Sequence, residues 1–525
     1  MTTREIPHLT KSRYMTGLQC DRKLWRDCHG PAKISEPNAG SIADIGNRIG
    51  VMAQNLFPGG ELVAEQAFEH DKAVEHTSAL IAEETVSAIF EAAIEHDGIR
   101  VRVDILERLD GGAWGLREVK SGKSGSKIKL GYLDDTAVQY HVLAGSGLNI
   151  SSAELILVNK DYVHEQKNID YAKYFVREDI LSLVLQKLDK VSQNLAEQKS
   201  VLRLTSAPFV EPYKSMCKRC DYWLDCTKDK PVDWVQRLHG IKYKKVLNLK
   251  GKGIVSIRDL SGESGLSHIQ EIERQVIISG EQYISPEIWK PLKEFRPPAY
   301  YLDFEYFDMK IPPFLETKMG ERLPFQWSIH HVESAEELDR LDDLKQPVHF
   351  EYLSDGQSDF RRECAEGLLK VLGQSDEPII VYEMAAEKSA IESLARSVPD
   401  LTDELLALLP RLRDLIVVVR SYTCLPAYFP NNYALSTTTY SIKNTATALC
   451  PQFKYSELGG VSDGLAAGEA FFRIMTGEFK NGETVATLST ELLEYCQYDT
   501  LAMVKVHRAV IRLANALPLQ ANIDG

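Results

Sequence analysis

The sequence predicts a mixed α/β (α+β) protein built from about three globular units. Three observations carry this reading. The chain has 525 residues, and domains of roughly 100–200 residues divide it about three ways. Its 44% hydrophobic and 26% charged residues let each unit bury its own core. In both large segments, runs of period 2 are interleaved with runs of helical period.

The first unit is expected over residues 1–230. It opens with the basic segment Lys11-Ser12-Arg13-Tyr14, then Cys20 and the mixed run Asp21 to Arg26. Helices are predicted around Ile42–Asn55 and Lys72–Ser87. Ile99 to Leu106 alternates as a strand does, Asp110-Gly111-Gly112 supplies a turn, and Trp114 to Lys120 reads as the returning strand. A helix follows over Asp135–Ala144, a strand over Ala153–Val158 and a helix over Ile180–Gln198. Residues 231–295 read as a smaller helical connector, in which Gly251-Lys252-Gly253-Ile254 faintly resembles a helix-hairpin-helix turn. Arg296-Pro297-Pro298 reads as a hinge, because consecutive prolines stop a helix and stiffen a link. The last unit, 296–525, begins with the strand Tyr300–Glu305, continues through Pro378–Tyr382 and ends in amphipathic helices.

Composition narrows the function classes. A net charge of −14 argues against coating a polyanion by bulk attraction, but suits sites where carboxylates hold a divalent ion against a phosphate. The most apolar stretch, Leu405–Val419, is broken by Pro410, Arg411, Arg413 and Asp414, so no membrane span is expected. Met1 to Glu5 lead into polar residues and not an apolar signal core. A cytoplasmic protein is the expectation. Nine cysteines are too few for a disulfide scaffold.

The first chemical constellation is Asp104, Glu118 and Lys120. Residues two apart on a strand share a face, so Glu118 and Lys120 point together, with Asp104 on the partner strand. Two carboxylates can hold Mg²⁺ while the ammonium orients water or screens the scissile phosphate. With Gln139 and Tyr140 on the next helix and a cysteine cluster closing the unit, residues 1–230 resemble the RecB-like branch of the PD-(D/E)XK nucleases, particularly its iron–sulfur members. The resemblance implies a restriction-endonuclease-like fold, Mg²⁺- or Mn²⁺-dependent cleavage of DNA single strands or ends, and catalytic roles for Gln139 and Tyr140. That family often carries a metal-binding His in its early helical motif. Here the region reads Arg48-Ile49-Gly50-Val51-Met52-Ala53-Gln54.

The second constellation is Cys217, Cys220 and Cys226, a C-x2-C-x5-C arrangement. Thiolates select Zn²⁺ or iron–sulfur over hard ions, and no second C-x2-C supplies a zinc ribbon. Cys20 is the expected fourth ligand, with Cys28 as its rival. The pattern resembles that of the iron–sulfur nucleases, which implies a [4Fe–4S] cluster on Cys20, Cys217, Cys220 and Cys226. The other cysteines, Cys496 among them, read as ordinary buried thiols.

The third constellation is Asp303 and Glu305 on one strand, Glu387, and Tyr495 with Asp499 one turn apart on a late helix. Such a set can hold metal and position a water for in-line attack. It resembles the DEDDy 3′–5′ exonucleases of the RNase-H-like fold. Residues 299–525 resemble more closely an uncharacterised bacterial family of that fold, often fused behind a RecB-like nuclease; Pro324 to Ser328 and Ser441-Ile442-Lys443 fit it too. The usual intermediate motif has an Asn where Glu383 stands and an aromatic where Ala386 stands. Asp414 is an alternative ligand or part of a solvated helix face.

The expectation is therefore a DNA-processing enzyme with two metal-dependent nuclease sites, in repair or defence. The alternatives are a non-catalytic adaptor gripping nucleic-acid ends and an enzyme directed at RNA. No G-x-x-x-x-G-K-[ST] loop occurs, so any helicase motor would be a separate partner.

Overall fold

The computed structural model describes residues 8–31, 37–261, 265–308, 310–341, 347–373, 375–429, 440–455 and 459–517. The opening segment Met1–Glu5 lies outside them. The chain divides into two compact units, Met1–Glu211 with Met309–Gly320, and Pro212–Asp308 with Glu321–Gly525. The expected boundary near residue 230 therefore falls at 211/212, which puts Cys20 in the first unit and Cys217, Cys220 and Cys226 in the second.

The first unit holds a seven-stranded sheet of β1 (Leu9–Thr10), β2 (Gly60–Leu62), β3 (Ala88–His96), β4 (Ile99–Arg108), β5 (Trp114–Lys123), β6 (Ile150–Val158) and β7 (Phe175–Asp179). The path is β2-β3-β4-β5-β6-β7, with β1 beside β4. β3, β4 and β5 run antiparallel, whereas β6 is parallel to β5. The parallel step requires a crossover, and helix α2 (Leu130–Gly145) supplies it. Helix α1 (Lys11–Gln19) follows β1 directly, and α3 (Leu188–Leu202) comes late in the unit.

The alternation read in β4 is real: Ile99, Val101, Val103 and Ile105 are buried between partly exposed Arg100, Arg102 and Asp104. β3 carries no such signal because apolar residues are buried on both faces, which leaves a continuous apolar run. Asp97 and Gly98 join the two strands, both at positive φ (50° and 70°), the backbone of a tight hairpin turn. The helix expected over Ile180–Gln198 is two helices, Leu181–Leu185 and α3.

In the second unit the sheet order is β11-β10-β9-β12-β13. A separate ribbon pairs β8 (Tyr283–Ile284) with β14 (Thr423–Cys424). The main strands are β9 (Ala299–Asp308), β10 (Arg322–Val332), β11 (Val348–Leu353), β12 (Ile379–Val381) and β13 (Leu412–Asp414). β9, β10 and β11 form an antiparallel meander; β12 and β13 run parallel to β9. The helices that matter below are α4 (His268–Ser279), α5 (Ala385–Ser397), α6 (Ile442–Leu449), α7 (Gly464–Thr476) and α8 (Val485–Asn515). α8 is tied to β10 by Gln326 Nε2, which donates to the Leu492 carbonyl at 2.7 Å, and by the Ser328–Thr500 hydroxyl pair at 2.8 Å.

Residues 231–295 belong to this second unit, and Arg296–Pro298 does not divide units. The physical reason is packing. Ile288, Leu292 and Phe295 share one apolar core with Val504, Val506 and Val510, while β8 pairs with β14. The Gly251–Ile254 segment is a helix end. The N–H groups of Lys252, Gly253 and Ile254 donate to Asn248, Lys250 and Leu249 carbonyls of the preceding helix, which leaves none of the three for a phosphate. Among the described residues no helix is long and apolar enough to cross a membrane.

Candidate functional site

Each unit gathers carboxylates at one place in its sheet. In the first unit the strands part at Asp104. The β3–β4 ladder passes from Phe90↔Ile105 to Ala92↔Val103, skipping Glu91 and Asp104, and Glu91 sits at φ 55°. The β4–β5 ladder ends at Ile105↔Arg117. Beyond it Asp104 Oδ2 accepts from Val119 N–H at 2.7 Å, so a side chain replaces the missing backbone bond.

Glu118 stands in the fork, fully buried. Its Oε1 accepts from the Lys120 ammonium, and its Oε2 accepts from Gln139 Nε2 at 2.5 Å. Lys120 also donates to Asp135 Oδ2 at 2.5 Å. Asp135 and Gln139 are one helical turn apart on α2, on one face. Burial works against the Glu118 charge, but Lys11 and Lys120 outweigh it and hold this carboxyl well below the usual range. Burial, then the charge of Glu118, pushes Asp104 and Asp135 up. The arrangement thus separates one firmly ionised carboxylate from two that resist ionisation beside it.

Of the residues expected here, Asp104, Glu118, Lys120 and Gln139 converge. Tyr140 does not: its hydroxyl donates to the Ile150 carbonyl at 3.5 Å and its ring packs on the core. Sequence reading missed Asp135, whose signal is the i,i+4 spacing to Gln139. It also missed Lys11, which belongs to the basic opening segment but has no spacing that ties it to the acids.

In the second unit, Asp303 and Glu305 extend from β9 and meet α8. Asp303, Glu305 and Cys496 each offer a ligand atom, all within 4.8 Å of one another. Cys496 Sγ lies 3.6 Å from Asp303 Oδ2. Tyr455 donates to Asp499 Oδ1 at 2.7 Å, and Tyr495 is hydrogen-bonded to the same carboxylate. The Lys443 ammonium lies over the Tyr495 ring, 4.8 Å from its centroid.

Burial raises every acid of the group, and repulsion adds to it at Asp303 and Glu305, whereas at Asp499 the hydrogen bonds of Tyr455 and Tyr495 and the charge of Lys443 oppose it. Asp499 acts on Asp303, and Asp303 and Asp499 act on Glu305. Glu387, on the first turn of α5, is raised by burial and by Asp303. Its Oε2 is buried with no hydrogen-bond partner. An orphaned, buried carboxylate oxygen facing other acids is costly unless a cation completes it, so the donor set fits a divalent ion.

Glu383 is exposed and adopts φ 71°, a left-handed conformation that asparagine tolerates better than glutamate. This turn before α5 is pinned by Asp414, whose carboxylate accepts from Glu383 and Met384 N–H groups at 3.1 and 3.2 Å. Asp414 also caps the helix Leu415–Tyr422. It is therefore a structural cap at the end of β13, and not part of a solvated helix face. Cys496, expected from the sequence to be an ordinary buried thiol, stands beside the acids, a position that its place next to Tyr495 in the sequence signals. None of the nine cysteines forms a disulfide.

Residues 300–434 match the model of a domain of unknown function, DUF2779. No curated protein matches the chain.

Proposed function

We propose that this chain is a divalent-metal-dependent nuclease with two hydrolytic sites, acting on single strands or ends of DNA. The first would be of PD-(D/E)XK type on a restriction-endonuclease-like sheet, the second of DEDDy exonuclease type on an RNase-H-like sheet. The observation that carries this reading is the convergence, within each unit, of acids far apart in the chain. Asp104, Glu118 and Asp135 meet around Lys11 and Lys120, and Asp303 and Glu305 lie close enough to Asp499 to be raised by its charge, as Glu305 is by Glu387, whose Oε2 has no partner. The strand orders support it as well: in both units an antiparallel three-strand meander is followed by a strand that pairs in parallel with one of its members, β6 with β5 and β12 with β9.

In the first site Asp104 and Glu118 would hold Mg²⁺ or Mn²⁺, and in the second Asp303, Glu305, Glu387 and Asp499. The ion would neutralise phosphate charge and acidify a bound water. Lys120, already gripped by Glu118 and Asp135, presents a fixed ammonium to a phosphate oxygen or to the attacking water. Gln139 fixes the second oxygen of Glu118, so that carboxylate keeps one orientation. Tyr495 stays protonated, because burial and the neighbouring Asp499 both oppose its ionisation. Its hydroxyl can therefore orient a water while bonded to Asp499.

We further propose that Cys217, Cys220 and Cys226 hold an iron–sulfur cluster, on the strength of their C-x2-C-x5-C spacing. A broad absorbance band near about 400 nm in anaerobically purified protein, lost in Cys220→Ala, would support it. A colourless protein containing one zinc per chain would refute it.

Degradation of end-labelled DNA and RNA oligonucleotides of matched sequence, with and without Mg²⁺ or Mn²⁺, tests the main reading. Lys120→Ala and Asp303→Asn should each remove part of the DNA cleavage, and the double variant all of it. Undiminished cleavage by the double variant, or loss of RNA products alone, would overturn the assignment.

A further inference from the structure

Lys11 is placed with more care than a surface lysine requires. β1 pairs in parallel with Ile99–Arg100 of β4, the strand that carries Asp104 four residues further on. Thr10 then caps α1, accepting from Arg13 N–H at 3.2 Å. The helix is held from the other side by α3. Gln198 Nε2 donates to the Tyr14 carbonyl at 3.0 Å and Asn194 Nδ2 to the Tyr14 hydroxyl at 3.2 Å, with Tyr14 itself buried. Lys11 is the first residue of this clamped helix.

Its ammonium lies 3.4 Å from Glu118 Oε1, 3.7 Å from Asp135 Oδ1 and 3.9 Å from Asp104 Oδ1. One oxygen from each of the three carboxylates therefore faces a single cation carried by the chain. Lys120 pairs with Glu118 and Asp135 at 2.5 Å, whereas the Lys11 ammonium lies within 4 Å of all three acids. An Mg²⁺ or Mn²⁺ ion needs oxygens at about 2.1 Å. Drawn to these same oxygens, it would have the Lys11 charge as an immediate neighbour, and like charges in a buried site repel strongly.

Resting on the metal-site reading above, we infer that Lys11 is a tethered counter-ion of the first site: it holds Asp104, Glu118 and Asp135 together before a divalent ion binds, and its ammonium is displaced when one does. The lysine thus sets a threshold for metal loading. It keeps three acids assembled without an ion and lowers the affinity of the ion that replaces it.

The test measures Mn²⁺ binding directly, by the loss of the free-ion electron paramagnetic resonance signal, in an Asp303→Asn background that removes a ligand of the other unit. Adding Lys11→Met should tighten Mn²⁺ binding by about tenfold, whereas Lys11→Arg, which keeps the charge, should bind no tighter than its parent. Binding by the Lys11→Met protein where the parent shows none would support the inference equally. If the parent binds Mn²⁺ and Lys11→Met binds it equally or more weakly, the counter-ion role is overturned while the metal site stands. If neither binds, both fall. Should Lys11→Met not fold, Lys11→Gln carries the same comparison, with the same outcomes deciding.

Discussion

Glu273 offers the most quantitative test of how this chain handles buried charge. It lies on α4, fully buried. Its Oε2 accepts from His239 N–H at 2.7 Å and its Oε1 from the Tyr440 hydroxyl at 3.1 Å. Burial pushes its carboxyl up to about 7, against the smaller opposing effect of those two hydrogen bonds. The unfolded chain has the ordinary value of about 4.3. Between these two values the folded state binds more protons than the unfolded state, so stability falls as pH rises through the interval and levels off above 7. The whole effect is roughly 4 kcal/mol, at 1.36 kcal/mol per pH unit of difference, and roughly 2 to 3 kcal/mol of it falls between pH 5 and pH 8. Glu273→Gln keeps the shape and the acceptor for His239 without the charge. Urea unfolding of both proteins from pH 5 to pH 8 should show their difference moving in favour of the variant by that amount, because other titrating groups cancel. Parallel profiles would refute the argument that this carboxyl is protonated in the folded protein.

Two further predictions concern the second site's scaffolding. Glu383→Asn relieves a left-handed glutamate whose side chain is exposed, and should raise stability by about 0.5–1 kcal/mol, read as a small increase in calorimetric midpoint; a decrease would mean that the Glu383 side chain is itself needed. Tyr455→Phe removes the 2.7 Å donor to Asp499 and should cost about 1.5–3 kcal/mol, the range for a hydrogen bond to a charged group, by chemical denaturation. A negligible change would show that Asp499 does not depend on this hydroxyl.

How far the sequence reaches depends on which physical signal carries each feature. β4 could be read because one face is buried and the other half-exposed, so its residues alternate. β3 could not, because burial on both faces erases the alternation. Glu118 and Lys120 share a face by strand periodicity alone, and the structure brings both to Asp104. Tyr140, adjacent to Gln139, points away for an equally simple reason: neighbouring residues on a helix face different directions. Lys11 was beyond reach. It meets the acids through β1 pairing beside β4, a contact between distant residues that no local pattern encodes. The prolines at 297 and 298 suggested a hinge, yet the helices before them supply Ile288, Leu292 and Phe295 to the core of the unit that follows. Backbone stiffness marks where a chain can turn, and the buried apolar area decides whether the two sides separate.

The two acidic sites solve the same problem differently, and the difference has a sign. In the first, Lys11 and Lys120 stand among Asp104, Glu118 and Asp135, so the environment favours the charge on Glu118. In the second, Lys443 is the ammonium acting on Asp303, Glu305 and Asp499, and Glu387 has an oxygen with no partner. The environment there disfavours the charge on Glu387. Neutral amides at these two positions should therefore move stability in opposite directions when no metal is added. Glu118→Gln leaves two buried ammoniums short of a carboxylate and should destabilise by about 3 kcal/mol at neutral pH, as removal of one partner from a buried ion pair does. The loss should shrink only as pH falls toward the low value held by Glu118, since a depressed carboxyl contributes stability above its unfolded value and surrenders it below. Glu387→Gln removes one of several repelling acids and should stabilise the metal-free protein, although it deletes a proposed ligand, the exchange of stability for function expected at a binding site. Unfolding midpoints in the presence of a chelator decide it. If both variants destabilise, the acids of the second unit are held by ordinary packing and not poised against one another, and Glu387 loses its claim to a cation.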